Sequence, residues 1–338
     1  MRLFLTLLIR VLAVLLILGF AVWGVGASYF EFPDGNTARV AAPTVLGLLG
    51  FLAALGVFLK WLRPALVLFA VATLGLMIWW GTIRPSNDRE FAPEVSRLMT
   101  GRFDGDRVTV TNVRDFEWRS STDFNPRWRD ETYDLGAVRT IDLFMNYWMG
   151  PAIAHPIVSF GFEDGRKLAF SIEIRRRKYQ EFSAIAGFFR QFEVIVVGAD
   201  ERDVMSLRDK KNETVLLFRL RAGPEQARAL LTEYLTEANS LAAAPRFYNT
   251  LTANCTTEIF LLLRRLTNRF PFDWRIVLSG FLPEYLYDNN VLNRAFTIDE
   301  LRRLGDVSGR YRPGVDSSTF SALLRDGVPP APAALSTP

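Results

Sequence analysis

Two textures of apolar and polar positions divide the chain. Over residues 3–25 apolar side chains run almost unbroken, interrupted only by Thr6, Arg10 and small residues. A second run covers 43–62 with Lys60 inside it, and a third covers 64–83 with no charge at all. Each approaches the roughly 20 residues an α-helix needs to cross the hydrocarbon core of a bilayer. The pattern therefore predicts three transmembrane helices in an all-α membrane anchor over residues 1–84. Apolar residues on every side of each helix argue against buried helices of a soluble core. Trp23, Tyr29, Trp61, Trp79 and Trp80 fall near the predicted ends, where interfacial aromatics concentrate. A cleaved signal peptide competes for the first run, since residues 24–28 offer small side chains. Two further spans close behind favour a retained anchor.

The loops set the orientation. Arg2 and Arg10 flank the first span, and Lys60 and Arg63 fill the tight link between the second and third. The link over 28–42 carries Glu31, Asp34 and a single Arg39. Positive-inside logic puts the N-terminus and the 60–63 link in the cytoplasm, so three crossings carry everything after Ile83 outside. The expected location is a bacterial inner membrane, multi-pass, with the soluble domain in the periplasm.

Beyond a polar linker at 84–89 the pattern changes to short alternating runs. Residues 107–113 alternate apolar with polar and predict a strand. Residues 115–135 mix charge, Trp and Pro and read as a surface excursion. Residues 157–162 and 167–175 alternate around Glu163-Asp164-Gly165, a β-hairpin signature. Further strands are predicted at 192–197 and 214–220. Residues 224–241 repeat apolar positions at helical spacing with Pro224 at the start, and a second helix is predicted from Cys255 to about Leu266. Strands and helices intermix without regular βαβ alternation, so the class is α+β. Residues 85–320 form one soluble domain on this reading. Residues 321–338 form a disordered tail, on the Pro/Ala-rich composition from Val328 onward.

Composition sharpens this in two places. With 338 residues, 22% charged, yet a positive mean hydropathy of +0.12, the chain needs two compartments of composition. Its formal net charge of +4 suits an anionic membrane surface and is too dispersed to argue for nucleic acid. One Cys and one His exclude an internal disulfide and any zinc site built from several Cys or His ligands. No cofactor and no metal are expected.

The candidate chemistry sits on those single residues. Asn254 is a preferred N-cap residue, which puts Cys255 in the first turn of the predicted helix. There the helix dipole favours a thiolate with a lowered pKa, and free backbone N–H groups can receive an oxyanion. A small buried hydrophobe is the ordinary fate of a free Cys. His155 is the only imidazole available as a base for that thiol. With a two-residue turn centred on Asp164, positions i and about 328 − i face each other, which sets His155 opposite Glu173. A carboxylate there can orient the imidazole; it competes with a solvated carboxylate paired to a neighbouring Arg. Asn254, Tyr248 and Asn249 are candidates for oxyanion or site support, although packing and capping are the commoner roles. Arg175, Arg176 and Arg177 are candidates for lipid headgroup contact or a solvated cluster. Residues 200–203 read as a turn or helix start with local ion pairs, and Gly24 and Gly26 lie in a span with no phosphate-loop context.

In these stretches the chain resembles the periplasmic domain of the Lnb-type lipoprotein N-acyltransferase family. The resemblance rests on Val113-Arg114-Asp115-Phe116, Tyr133-Asp134-Leu135, AHPIVSFGFEDG at 154–165, SIEIRRRK at 171–178, ADERDV at 199–204 and FYNTLTANCTT at 247–257. It implies a circularly permuted papain-like (NlpC/P60-like) fold with a Cys/His site. It further implies thioester acyl transfer, in characterised members from a phospholipid to the α-amine of a lipoprotein cysteine. The expectation is thus an enzyme, an acyltransferase or hydrolase with phospholipid and lipoprotein as partners. A cysteine peptidase or amidase acting on cell-wall peptide or protein shares the site. A non-catalytic, membrane-tethered binding module shares the architecture. Hydrogen-bond reach between Cys255 and His155 separates that last reading from the others.

Overall fold

The computed structural model describes residues 1–32 and 36–333. Contacts divide the chain into two compact units. Unit one comprises residues 1–86, 181–193 and 247–250; unit two comprises 87–180, 194–246 and 251–338.

Unit one is built on three helices, α1 (Arg2–Glu31), α2 (Ala38–Gly56) and α3 (Arg63–Thr82). All three are long and apolar enough to cross a membrane. α2 starts earlier and ends sooner than expected: it takes in Pro43 and stops at Gly56, and Lys60–Leu62 form a 3-10 turn instead of its last turn. Asp34, one of the acids in the orientation argument, lies outside the described residues. Small residues let the helix backbones approach, as membrane interfaces require. A Cβ on Gly50 would lie 2.5 Å from that of Ala21, and Ala21, Ala53 and Phe69 form the packed centre. The segment 181–193 packs in this unit although it is distant in sequence. Phe189 stacks on Phe30 at 5.3 Å, the Arg190 guanidinium donates to Trp80 O at 2.6 Å, and Gln191 Nε2 donates to Glu31 Oε1 at 2.8 Å.

Unit two is α+β. Its strands are β1 (Thr100–Asp104), β2 (Arg107–Arg114), the short β3 (Glu117–Trp118) and β4 (Phe124–Asn125), β5 (Trp128–Asp134), β6 (Val138–Tyr147), β7 (Ala154–Phe162), β8 (Lys167–Arg175), β9 (Glu193–Asp200, whose first residue lies in unit one) and β10 (Thr214–Arg219). The main sheet has eight strands in the order β1-β2-β9-β8-β7-β6-β10, with β5 joined to β2. The helices are α4 (Glu201–Lys210), α5 (Pro224–Ala243), α6 (Cys255–Leu266), α7 (Leu282–Asp288), α8 (Ile298–Leu304) and α9 (Ser317–Arg325).

Alternation along β7 and β8 sorts the layers. Ile157 and Ala169 pack in a cluster with Val204 of α4 and Phe320 of α9. Phe160 and Phe170 instead meet the ring of Tyr234 on α5. Val158 shares a cavity wall with Ile259 of α6. The sheet is therefore covered on both faces, by α4 and α9 on one and by α5 and α6 on the other.

Two sequence expectations need correction. Residues 115–135 are not a surface excursion throughout. Phe116 and Trp118 are buried, and the buried Asp203 carboxylate gathers Arg114 Nε at 2.9 Å, Phe116 N at 2.8 Å and Trp118 Nε1 at 2.8 Å. The tail is not disordered from 321. Residues 317–325 form α9, Arg325 of that helix pairs with Asp142 and Glu201 at 2.7 Å each, and Asn293 Nδ2 donates to Pro330 O at 3.1 Å. Proline blocks helix and ladder beyond 328 but leaves carbonyls free to accept. Residues 334–338 lie outside the described chain.

Candidate functional site

The β7–β8 hairpin has the register its turn predicts. Gly165 supplies a φ of +85°, and Asp164 Oδ1 accepts from Arg166 N at 3.0 Å. Ile157 pairs with Ser171 and Val158 with Phe170, so extension by two residues sets His155 opposite Glu173. The imidazole does not meet the carboxylate directly, however. His155 Nε2 is 2.6 Å from Ser171 Oγ, Ser171 Oγ donates to Glu173 Oε1 at 2.8 Å, and the Nε2–Oε1 separation is 3.8 Å. Ser171 has one proton and gives it to Glu173, so its lone pair accepts from Nε2–H. That fixes the tautomer and leaves Nδ1 as the ring's acceptor nitrogen.

Arg208 on α4 completes the cluster, at 3.3 Å from Glu173 and 3.4 Å from Glu213. Burial raises the Glu173 pKa, but Arg208 and then His155 outweigh it and bring the group down to about 2. Burial and then Arg208 push His155 down to about 3, against a smaller opposing pull from Glu173. The imidazole is neutral and the carboxylate ionised at any ordinary pH.

Cys255 is the first residue of α6, and its thiol is half-buried. Asn254 caps the helix: Oδ1 accepts from Thr256 N at 3.0 Å and Thr257 N at 2.9 Å, while Asn254 N donates to Thr257 Oγ1 at 2.8 Å. The expected low thiol pKa is reversed. Burial pushes Cys255 up to about 11, more than Thr256 and the neighbouring backbone N–H groups pull it down, and the Glu173 charge adds to the rise. Two of the first-turn N–H groups are already spent on Asn254. They are not free for an oxyanion, which leaves the Cys255 N–H.

The thiol and the imidazole are not joined in this structure. His155, two residues before Ile157, points to the α4 side of the sheet, whereas α6 lies on the α5 side. Among the described residues no hydrogen bond links Cys255 to His155; the sulfur lies 3.9 Å from Thr256 Oγ1. The Cys255 charge is felt at Tyr234 on α5. Its hydroxyl is buried with no hydrogen-bond partner among the described residues. Burial, and then the Cys255 charge, raise its pKa, so it remains a donor.

Beside this helix start lies an apolar cavity of about 490 Å³. Thr256, Ile259, Phe260 and Leu263 of α6 form one wall; Ile141, Val158 and Leu230 contribute to the others. Its volume and lining are those of a small-ligand site, typically roughly 300–1,000 Å³ and mostly apolar.

The remaining candidates fall elsewhere. Tyr248 N donates to Phe192 O at 2.9 Å, and its ring packs against Gly187, within unit one; Asn249 belongs to the same segment. Arg175 is buried, donating to Val95 O, Asn87 Oδ1 and Ser96 O at 2.8–3.0 Å, with Phe91 beneath its guanidinium. It is therefore not a headgroup contact: the inward face of β8 takes it. Arg176 pairs with Glu94, and Arg177 bridges to Phe91 through the backbone. The ion pairs at 200–203 are long-range, not local: Glu201 meets Arg325 and Asp203 meets Arg114.

Sequence reasoning missed Ser171, Arg208 and Tyr234. Ser171 was within reach, since it shares a strand face with Glu173 two residues away. Arg208 and Tyr234 come from helices whose docking no local pattern reports.

No curated protein and no solved structure matches the chain. A family model does: that of the Lnb N-terminal periplasmic domain, over residues 124–280. The matched stretch contains His155, Ser171, Glu173, Arg208, Tyr234 and Cys255. With three helices able to cross a membrane ahead of it, the protein is membrane-anchored, and over 124–280 its resemblance to the Lnb-type periplasmic domain is shown by that match.

Proposed function

We propose that the protein is a thiol-dependent acyltransferase or hydrolase in which Cys255 carries the acyl group as a thioester. The observation that carries this reading is the placement of the only thiol at the first residue of α6, one residue before Thr256, where the wall of an apolar cavity of about 490 Å³ begins; Cys255 itself does not line that cavity. A hydrocarbon chain suits that lining, whereas a peptide would bury unpaired amides in it. Lipid is the better substrate on this ground, with a lipoprotein amine or water as acceptor. The order of strand His, strand carboxylate and helix-start Cys accords with a permuted papain-like fold. The sidedness of the anchor loops accords with a periplasmic domain on an inner membrane crossed three times.

On this reading the sulfur attacks an ester or amide carbonyl as a neutral thiol. His155 Nδ1 accepts its proton, which requires the start of β7 to turn so that the ring leaves Ser171 on the α4 side and comes within hydrogen-bond distance of the sulfur. The Cys255 N–H and the Tyr234 hydroxyl donate to the oxyanion. Collapse breaks the bond to the leaving alcohol or amine, which takes the proton from His155. Attack by an amine or water on the thioester then returns the thiol.

A second reading has an observation of its own. The His155–Ser171–Glu173–Arg208 cluster is largely buried and turned to the α4 face, as a structural network would be, and a non-catalytic tethered module would contain such a network. Turnover of phospholipid by the full chain separates the two. The enzyme reading expects Cys255→Ser to abolish activity and His155→Ala to lower it by about 10²–10⁴-fold, the usual contribution of a general base. Undiminished activity in Cys255→Ser would remove the thioester; undiminished activity in His155→Ala would remove only the base.

A further inference from the structure

Unit two exposes a ridge of large apolar side chains on one side. Phe272 is 66% exposed, Trp274 56%, Met149 58% and Trp148 43%, with Leu261 and Leu278 beside them. The segments that carry them are tied together. Gly280 N donates to Ala152 O at 3.0 Å, and Tyr147 Oη donates to Gly280 O at 2.8 Å, which clamps the 148–152 loop to the 272–281 segment. The ring of Phe272 lies 6.0 Å from that of Phe260 on α6, and Trp274 lies 5.3 Å from Phe281. Isolated exposed apolar residues need no explanation, but a group of them with two indoles on tied segments marks an interaction surface.

Charge selects the occupant. Of the four arginines on residues 261–278, Arg265 pairs with Glu233 and Glu237 and Arg275 with Asp273 and Asp288, while Arg264 and Arg269 have no ion pair among the described residues and leave two cations beside the crest. Indoles at the rim and arginines around an apolar crest are what a headgroup layer with anionic lipid accepts. The apolar cavity opens nearby. Leu266 and Arg269 line it and are exposed, as are Glu225 and Gln226, so the cavity reaches the surface next to the ridge between the start of α5 and the end of α6.

We propose that this ridge inserts into the interfacial layer of the bilayer, as a membrane contact additional to the three helices. The contact does not depend on the thioester chemistry, so it can be tested in a Cys255→Ser background. Single cysteines are introduced there by Met149→Cys, Phe272→Cys and Trp274→Cys, with Asp106→Cys on the β1–β2 turn as reference. The full chain is labelled with an environment-sensitive fluorophore and reconstituted in vesicles of phosphatidylethanolamine and phosphatidylglycerol. The labels at 149, 272 and 274 should be blue-shifted, and lipids spin-labelled near the headgroup should quench them several-fold more than the label at 106. Replacing phosphatidylglycerol with phosphatidylcholine should reduce that quenching. Quenching no greater than at 106 would overturn the proposal. So would labels that are blue-shifted but unquenched by lipid, which would assign the ridge to a protein partner.

Discussion

At the scale of single residues the site is a pair of neutral groups. Cys255 is held up at about 11 and His155 down at about 3, both chiefly by burial. A thiolate–imidazolium pair would alkylate rapidly down to acid pH. Here the rate of Cys255 alkylation by iodoacetamide, without substrate, should stay low at neutral pH and climb beyond pH 9; a plateau below pH 6 would contradict this. Stability carries the same information with a defined sign. The unfolded chain protonates His155 near 6.5, the folded one only near 3, so this contribution is complete above 6.5 and fades as pH falls towards 3. Glu173, lowered from 4.5 to about 2, fades over the lower window in the same direction. Acid unfolding should therefore begin earlier in wild type than in His155→Gln, followed by circular dichroism in detergent. Tyr234→Phe removes one hydroxyl from a buried, unpartnered position, so it should leave stability nearly unchanged. It should slow acyl transfer by about 10²-fold, the scale of one oxyanion donor. An unchanged rate would remove Tyr234 from the chemistry.

At the scale of elements, what could be read from sequence was what local chemistry decides. The β7–β8 register followed from Asp164 and Gly165, and the start of α6 from Asn254. β6, which pairs with both β7 and β10, escaped because every residue from Ile141 to Asn146 is buried, Asp142 and Asn146 among them. A strand covered on both faces has no alternation to read. The stretch from 115 to 135 misled for a related reason: Phe116 and Trp118 are anchored by Asp203, 85 or more positions away. Asp203→Ala should leave Arg114 charged and buried without its partner and cost about 3–5 kcal/mol, measured as the shift in the denaturation midpoint. A loss under about 1 kcal/mol would make the pair no more than a surface-like contact.

At the scale of the whole molecule, the division into an apolar anchor and a charged domain was plain from sequence, but not its seams. Residues 181–193 and 247–250 belong to the helical unit, and no composition shift marks them. The proposed acyl transfer takes its substrate from lipid, and the chain's three apolar helices are long enough to cross a membrane. The account stands on the thioester. Intact-protein mass spectrometry of the full chain after incubation with phospholipid vesicles tests it most directly. The account predicts one added acyl mass on Cys255, released by hydroxylamine and absent in Cys255→Ala. Lipid turnover that persists in Cys255→Ala, or an acyl mass on any other residue, would contradict it.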